Sequence, residues 1–159
     1  MATAERWLKG LQANGKVYPD NETVVAQVNN GESAVGLINH YYWYRLRDEV
    51  GRSGMHSALH YYAPHDPGYL LNVSGAAVLK SSSRQAAAQK FVAFLVSKQG
   101  QEIIASPSKS LSFEYPIASG VTTQSPETPF AQLQPYPITI ADLGDGSTAI
   151  ALMRAAGLL

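Results

Sequence analysis

The run Ser33-Ala34-Val35-Gly36-Leu37-Ile38-Asn39-His40-Tyr41-Tyr42-Trp43-Tyr44-Arg45-Leu46-Arg47 decides how the rest of this chain is read. Up to Asn39 it is apolar and strand-like, and from Tyr42 it is helix-like. In open α/β sheets, ligand sites gather where a strand ends and the next helix begins. Tyr41 and Tyr42 stand at that corner. Two phenol oxygens placed there could serve a small, highly charged cation as hard donors. A phenol has an ordinary pKa of about 10 and must lose its proton to bind a metal. The metal's charge and a helix N-terminus both favour that loss. Adjacent strand residues point to opposite faces, so both oxygens can converge on one ion only at such a corner. The same tyrosines, with Trp43 and Tyr44, also read as packing aromatics around a helix start.

The neighbours of the corner carry two readings each. Asn39 ends the strand-like run, and Asn21 sits at an expected helix start. Both read as a cap or turn residue. They also read as amides that hold an oxyanion beside a metal, together with helix N-terminal N–H groups. His40 precedes the tyrosine pair and is expected behind it, oriented by a hydrogen bond. His56 and His60 are four apart, but the region reads as loop running into strand, so the pair is expected to diverge on the surface. Glu114, in Phe113-Glu114-Tyr115-Pro116, reads as a lone carboxylate without an obvious partner.

Working outward, strands and helices alternate in the first half, which predicts an α/β architecture with some parallel pairing. Helices are predicted over about Ala2–Ala13, Glu22–Asn30 (capped by Asp20 or Asn21), Tyr42–Val50 (stopped by Gly51), Arg84–Ile104 and Thr148–Ala156. Ser81-Ser82-Ser83 is expected to cap the fourth, and Gly100 to mark a break inside it. Strands are predicted over Lys16–Tyr18, Ala34–Asn39, Ala58–Ala63 and Leu71–Leu79. Residues 106–139 are rich in Pro, Ser and Thr and lack periodicity, as functional or mobile stretches often do.

Composition narrows the function classes. At 159 residues the chain is long enough for one domain with a core. Twelve basic and twelve acidic side chains leave no net charge. That argues against a nucleic-acid face, which needs a basic excess, and against a polybasic membrane anchor. Zero cysteines remove disulfides, zinc ribbons and thiol catalysis together. No run reaches the length of a membrane span, and the N-terminus has no apolar signal core. The sequence enters a helical pattern at once, with Trp7, Leu8 and Leu11 at helical spacing, which raises the expectation of a fragment. There is no G-x-S-x-G elbow, P-loop or H-E-x-x-H motif. A binding protein is expected here, not an enzyme.

With these segments in place, Leu37-Ile38-Asn39-His40-Tyr41-Tyr42-Trp43-Tyr44-Arg45-Leu46 resembles the iron-site segment of ferric-ion-binding proteins. Those are the solute receptors of ABC iron importers, with the type II periplasmic-binding-protein fold. Trp7–Leu11 with Gly15–Pro19, Asn72–Lys80, and Gln89–Leu95 are similar to the same family in the same order. Members are about twice this length and have two lobes that close over the ion. The resemblance is to their C-terminal half, with a mixed sheet flanked by helices.

The resemblance implies that Tyr41 and Tyr42 are ligands of Fe(III). It places Asn39 and Asn21 on a synergistic anion, phosphate or carbonate-like. It implies an ABC permease as partner, and a periplasmic or cell-surface lipoprotein location for the full-length protein. Residues 1–71 and 123–159 would form the C-terminal lobe, and residues 72–122 would return to an N-terminal lobe that is missing here. Helix Arg84–Ile104, deprived of its sheet, is then expected to pack back on its own lobe or to pair with another copy, as a homodimer or by domain swapping. Two other readings stay open: a same-fold receptor for an organic cation, sugar or oxyanion, and an interaction module without a ligand.

Overall fold

The computed structural model describes residues 2–123 and 128–159. Six α-helices are present among them: α1 (Ala2–Asn14), α2 (Asn21–Asn29), α3 (His40–Val50), α4 (Gln85–Leu95), α5 (Lys98–Ile104) and α6 (Ser147–Ala155). Short 3-10 turns lie at Arg52–Gly54, Phe130–Gln132 and Ile140–Leu143. No helix among the described residues is long and apolar enough to cross a membrane.

Local chemistry sets the helix ends. Asp20 caps α2 by accepting from the Thr23 N–H at 2.6 Å. Gly51 stops α3 with φ of 73°, a left-handed conformation that costs glycine little. Asp145 accepts from the Ser147 N–H at 2.9 Å at the entry to α6. The expected single helix over Arg84–Ile104 is two helices, and the break falls at Val96-Ser97 rather than at Gly100. Ser97 causes it. Its hydroxyl oxygen accepts from the Gly100 N–H at 3.2 Å, capping α5, and its O–H donates to the last turn of α4 at Phe94 O, 2.7 Å away. Gly100 is needed for closeness, since a Cβ there would lie 2.1 Å from Phe94 O. The serine triplet does not cap α4 directly: Arg84 stands at the cap position without a side-chain bond, and Ser82 Oγ accepts from the Arg84 N–H at 3.1 Å.

The four expected strands form no ladder among the described residues. The cause lies in what a strand requires. Its N–H and C=O groups need a neighbouring edge, and among the described residues no backbone hydrogen bond joins one of these segments to another; single rungs lie just outside them. The Tyr136 N–H bonds Tyr69 O at 2.7 Å, and the His65 N–H bonds Gln134 O at 2.9 Å. Apolar residues of the strand-like run before α3 stand in water instead, Val35 at 79% exposure.

Helices pair locally: α2 on α3, α1 on α6, α4 on α5, and α3 on the turn Arg52–Gly54. Burial concentrates around α2, α3 and the segment that crosses them. Val25, Tyr44 and Phe113 are buried there, with Asn29 as a buried polar hub. Asn29 Oδ1 accepts from the His56 N–H at 2.8 Å and the Ser57 hydroxyl at 3.0 Å, while its Nδ2 donates to Gly54 O at 3.0 Å. One amide therefore fastens the loop after α3 to the last turn of α2. A second hub, Gln101, donates to Leu95 O at 2.8 Å and accepts from the Ile117 N–H at 2.7 Å, tying α5 to its flanks.

Candidate metal centre

Helix α3 starts two residues earlier than the sequence suggests, at His40, so both tyrosines fall within its first turn. In a helix, successive residues are separated by about 100° rather than by a full reversal. The rings of Tyr41 and Tyr42 accordingly lie together, with centroids 4.5 Å apart and planes tilted by 42°. Both rings are half-buried. Burial raises the Tyr41 ionisation above the ordinary phenol value; the neighbouring Tyr42 phenol and the Glu114 carboxylate add to the rise, and Arg45 opposes it.

Asn39 is the residue before the helix, in extended backbone, and its amide makes no capping bond. Asn21 is the first residue of α2; the capping there is done by Asp20. Its chain neighbour Glu22 reaches Arg45, with Oε1 3.7 Å from the guanidinium. His40 stands beside Tyr41 with ring centroids 5.7 Å apart, and its Nε2 is 3.0 Å from Phe113 O. Burial pushes the His40 pKa down, against the contrary pull of the Phe113 carbonyl and Glu114. The structure thus brings Asn39, His40, Tyr41 and Tyr42 to one helix start. Among the described residues no group of three or more His, Asp or Glu side chains gathers as a metal cluster.

The sequence reading missed two features of this corner. The first is the strap Leu111–Tyr115. Leu111 O accepts from Arg45 Nε at 2.7 Å, and Phe113 stacks on Tyr44 at 6.2 Å with planes 22° apart. Tyr115 lies 5.2 Å from the His40 ring. Phe113 is 4% exposed and held at φ of 52°, a backbone strain of about 1–3 kcal/mol for a residue with a side chain. Glu114 on this strap is not alone, because Ser74 Oγ donates to its Oε1 at 2.7 Å. Nothing in the irregular sequence around residue 113 marks a residue 73 positions from His40 as its neighbour.

The second is a pair of arginines. Arg45 lies over Tyr41 and Tyr42 at 5.0 and 5.2 Å from the ring centroids, and Arg47 over Trp43 and Tyr44 at 5.2 and 4.7 Å. Here a signal was present. Each arginine is four residues after one ring and three after the next, which is helix-face spacing. Near Tyr44, Tyr61 Oη is buried without a hydrogen-bond partner among the described residues. Burial, with the phenols of Tyr115 and Tyr44 beside it, pushes its ionisation far above the ordinary phenol value.

Comparison with known proteins follows the same outline. The chain is 38% identical over 157 residues to the major ferric iron-binding protein of Neisseria meningitidis serogroup A, covering 99% of this chain and 46% of that protein. It is 34% identical over 153 residues to the Fe(3+)-binding periplasmic protein of Serratia marcescens, covering 96% of this chain and 44% of that one. Its fold superimposes on the crystal structure of iron-bound HitA from Pseudomonas aeruginosa with a TM-score of 0.88 and 47% identity, across 99% of this chain and 50% of that chain. The chain therefore spans about half the length of the relatives it matches. The family model for bacterial extracellular solute-binding proteins matches residues 1–102, a stretch that contains α1 to α5 up to Glu102 and the whole tyrosine corner, and the chain belongs to that family.

Proposed function

We propose that this chain carries the tyrosine half of an iron(III) site, as the solute-binding component of an ABC importer, working outside the cytoplasmic membrane. The observation that supports this reading is the convergence of Tyr41 and Tyr42 in the first turn of α3, with ring centroids 4.5 Å apart, in a chain akin to ferric-ion-binding proteins. The two phenolates bind the ferric cargo as hard anionic donors. Asn39, its amide unspent on capping, joins the first N–H groups of α3 in holding the accompanying anion; Asn21 contributes from the start of α2. His40 backs Tyr41 and is itself positioned by Phe113 O.

A second lobe, the N-terminal half in the family's architecture, completes the coordination shell and closes over the ion. In that architecture residues 72–122 belong with the second lobe, and the extended segments of this chain pair into a mixed sheet. The chain by itself supplies part of the shell, so its own affinity is low. Because both phenols must lose protons to bind, acid favours release.

One observation weighs against a receptor for an organic cation. One face of each of the Tyr41 and Tyr42 rings, on which such a ligand would stack, is already occupied by Arg45. Thermal-shift measurements separate the readings. Ferric nitrilotriacetate is expected to raise the melting temperature, and sugars, quaternary amines and inorganic oxyanions alone to leave it unchanged. Stabilisation by one of those solutes, with none by ferric ion, overturns the iron assignment.

A further inference from the structure

Arg45 is held at three points. Its Nε donates to Leu111 O on the strap at 2.7 Å. Its guanidinium lies 3.7 Å from Glu22 Oε1 on α2. Its Cζ sits 5.0 Å from one tyrosine ring centroid and 5.2 Å from the other. A surface arginine seldom holds one rotamer, because fixing its long side chain costs rotamer entropy. Here a backbone carbonyl and a carboxylate from two separate segments fix the same fork, and the side chain is 38% exposed. The two anchors place the guanidinium over the pair of rings, while Arg47 lies over Trp43 and Tyr44.

We propose that Arg45 is a positioning residue for the ligand pair: a clamp that fixes the orientation of the Tyr41 and Tyr42 rings relative to each other through the strap and α2. This rests on the iron reading above. Two phenolates on one ion must hold their oxygens at a fixed separation, and tyrosine rings rotate about two side-chain bonds. A cation lying against both rings restricts that freedom; the Glu22 anchor on α2 acts in either lobe arrangement, and the Leu111 anchor acts while the strap is seated on α3. The charge also stabilises electron density on the phenolate rings. Electrons on a stabilised phenolate move to iron at higher energy, so loss of the charge shifts the phenolate-to-iron band to longer wavelength. Arginine suits both tasks, since its fork satisfies Leu111 O and Glu22 while its plane stacks. A lysine keeps the charge without the fork.

The test titrates this chain with ferric nitrilotriacetate and reads the phenolate-to-iron absorption band in the parent, Arg45→Met and Arg45→Lys. Methionine retains the apolar stem that covers the helix, and circular dichroism checks that each variant is folded. For Arg45→Met, affinity is expected to fall about 10- to 100-fold, the usual effect of losing a partner that orients a metal ligand, and the band to move to longer wavelength. For Arg45→Lys, the band position should return while the affinity stays low. Parent-like affinity and band position in folded Arg45→Met overturn the clamp and leave the iron reading standing. No band in the parent overturns both.

Discussion

Tyr44 and Phe91 are aromatic residues on short helices of equal length, yet Tyr44 is 2% exposed and Phe91 is 61% exposed. Helix α3 is enclosed by its surroundings: α2 on one side, the Leu111–Tyr115 strap on another, and the turn Arg52–Gly54 fastened by Asn29. Helix α4 buries no residue and packs against α5, its sequence neighbour. Its helix–helix contact among the described residues is with α5; packing back on its own lobe or pairing with another copy was expected for a helix deprived of its sheet. The whole chain exposes 11484 Å², whereas a compact monomer of 17.1 kDa exposes about 7,800 Å². The surplus, about 3,700 Å², lies on this one chain and exceeds the share of about 1,000–2,500 Å² per partner that obligate interfaces bury. The lesson is a division of labour. The tyrosine corner is organised by contacts within the chain, and the α4 region presents apolar surface outward.

That contrast can be broken most sharply at its two aromatic residues. Tyr44→Ala should cost about 3–5 kcal/mol in urea unfolding, the range for a buried aromatic. Equal losses for Tyr44→Ala and Phe91→Ser would show that α4 is as enclosed as α3. Asn29→Ala comes next. It removes hydrogen bonds to the His56 N–H, the Ser57 hydroxyl and Gly54 O, each worth about 0.5–1.5 kcal/mol net, and a loss of about 1–3 kcal/mol by the same measurement is expected. Phe91→Ser itself should change stability by less than about 0.5 kcal/mol while raising solubility.

Acid gives the smallest effect. The Thr23 backbone N–H holds the Asp20 carboxyl below its ordinary value, and the Thr139 backbone does the same for Asp142. A depressed pKa means that the stabilisation is complete above the ordinary carboxylate value and disappears as pH falls through the lower folded value. A shallow decline in melting temperature below about pH 4 is expected, weaker in Asp20→Asn, whose amide caps without titrating.

What was legible in the sequence had a local cause. Gly51, Asp20 and the Asp145-Gly146-Ser147 turn announce helix ends through backbone chemistry that needs no distant partner, and each end falls within two residues of its expected place. The helix start at the tyrosines was legible to within two residues for the same reason, since it depends on local chemistry. What failed had a distant cause. Val35, Leu37 and Ile38 have strand-like side chains, but a strand exists only with a neighbouring edge, and none lies beside them among the described residues. The α4–α5 break was placed at Gly100 because glycine is the commoner breaker; the Ser97 hydroxyl, serving both helices at once, decided it. The strap was illegible altogether, because residues 111–115 reach α3 across 66 positions or more. Arg45 lay between these cases: its helix spacing was readable, its anchors at Leu111 and Glu22 were not.

The central claim is that the hydroxyls of Tyr41 and Tyr42 meet on one ferric ion. The most direct test is an absorption titration with ferric nitrilotriacetate of the parent chain, Tyr41→Phe, Tyr42→Phe and the double variant. A visible phenolate-to-iron band is expected in the parent, about half its intensity in each single variant, and none in the double variant. A band that survives in the double variant, or is absent from the parent under saturating ferric ion, would contradict it.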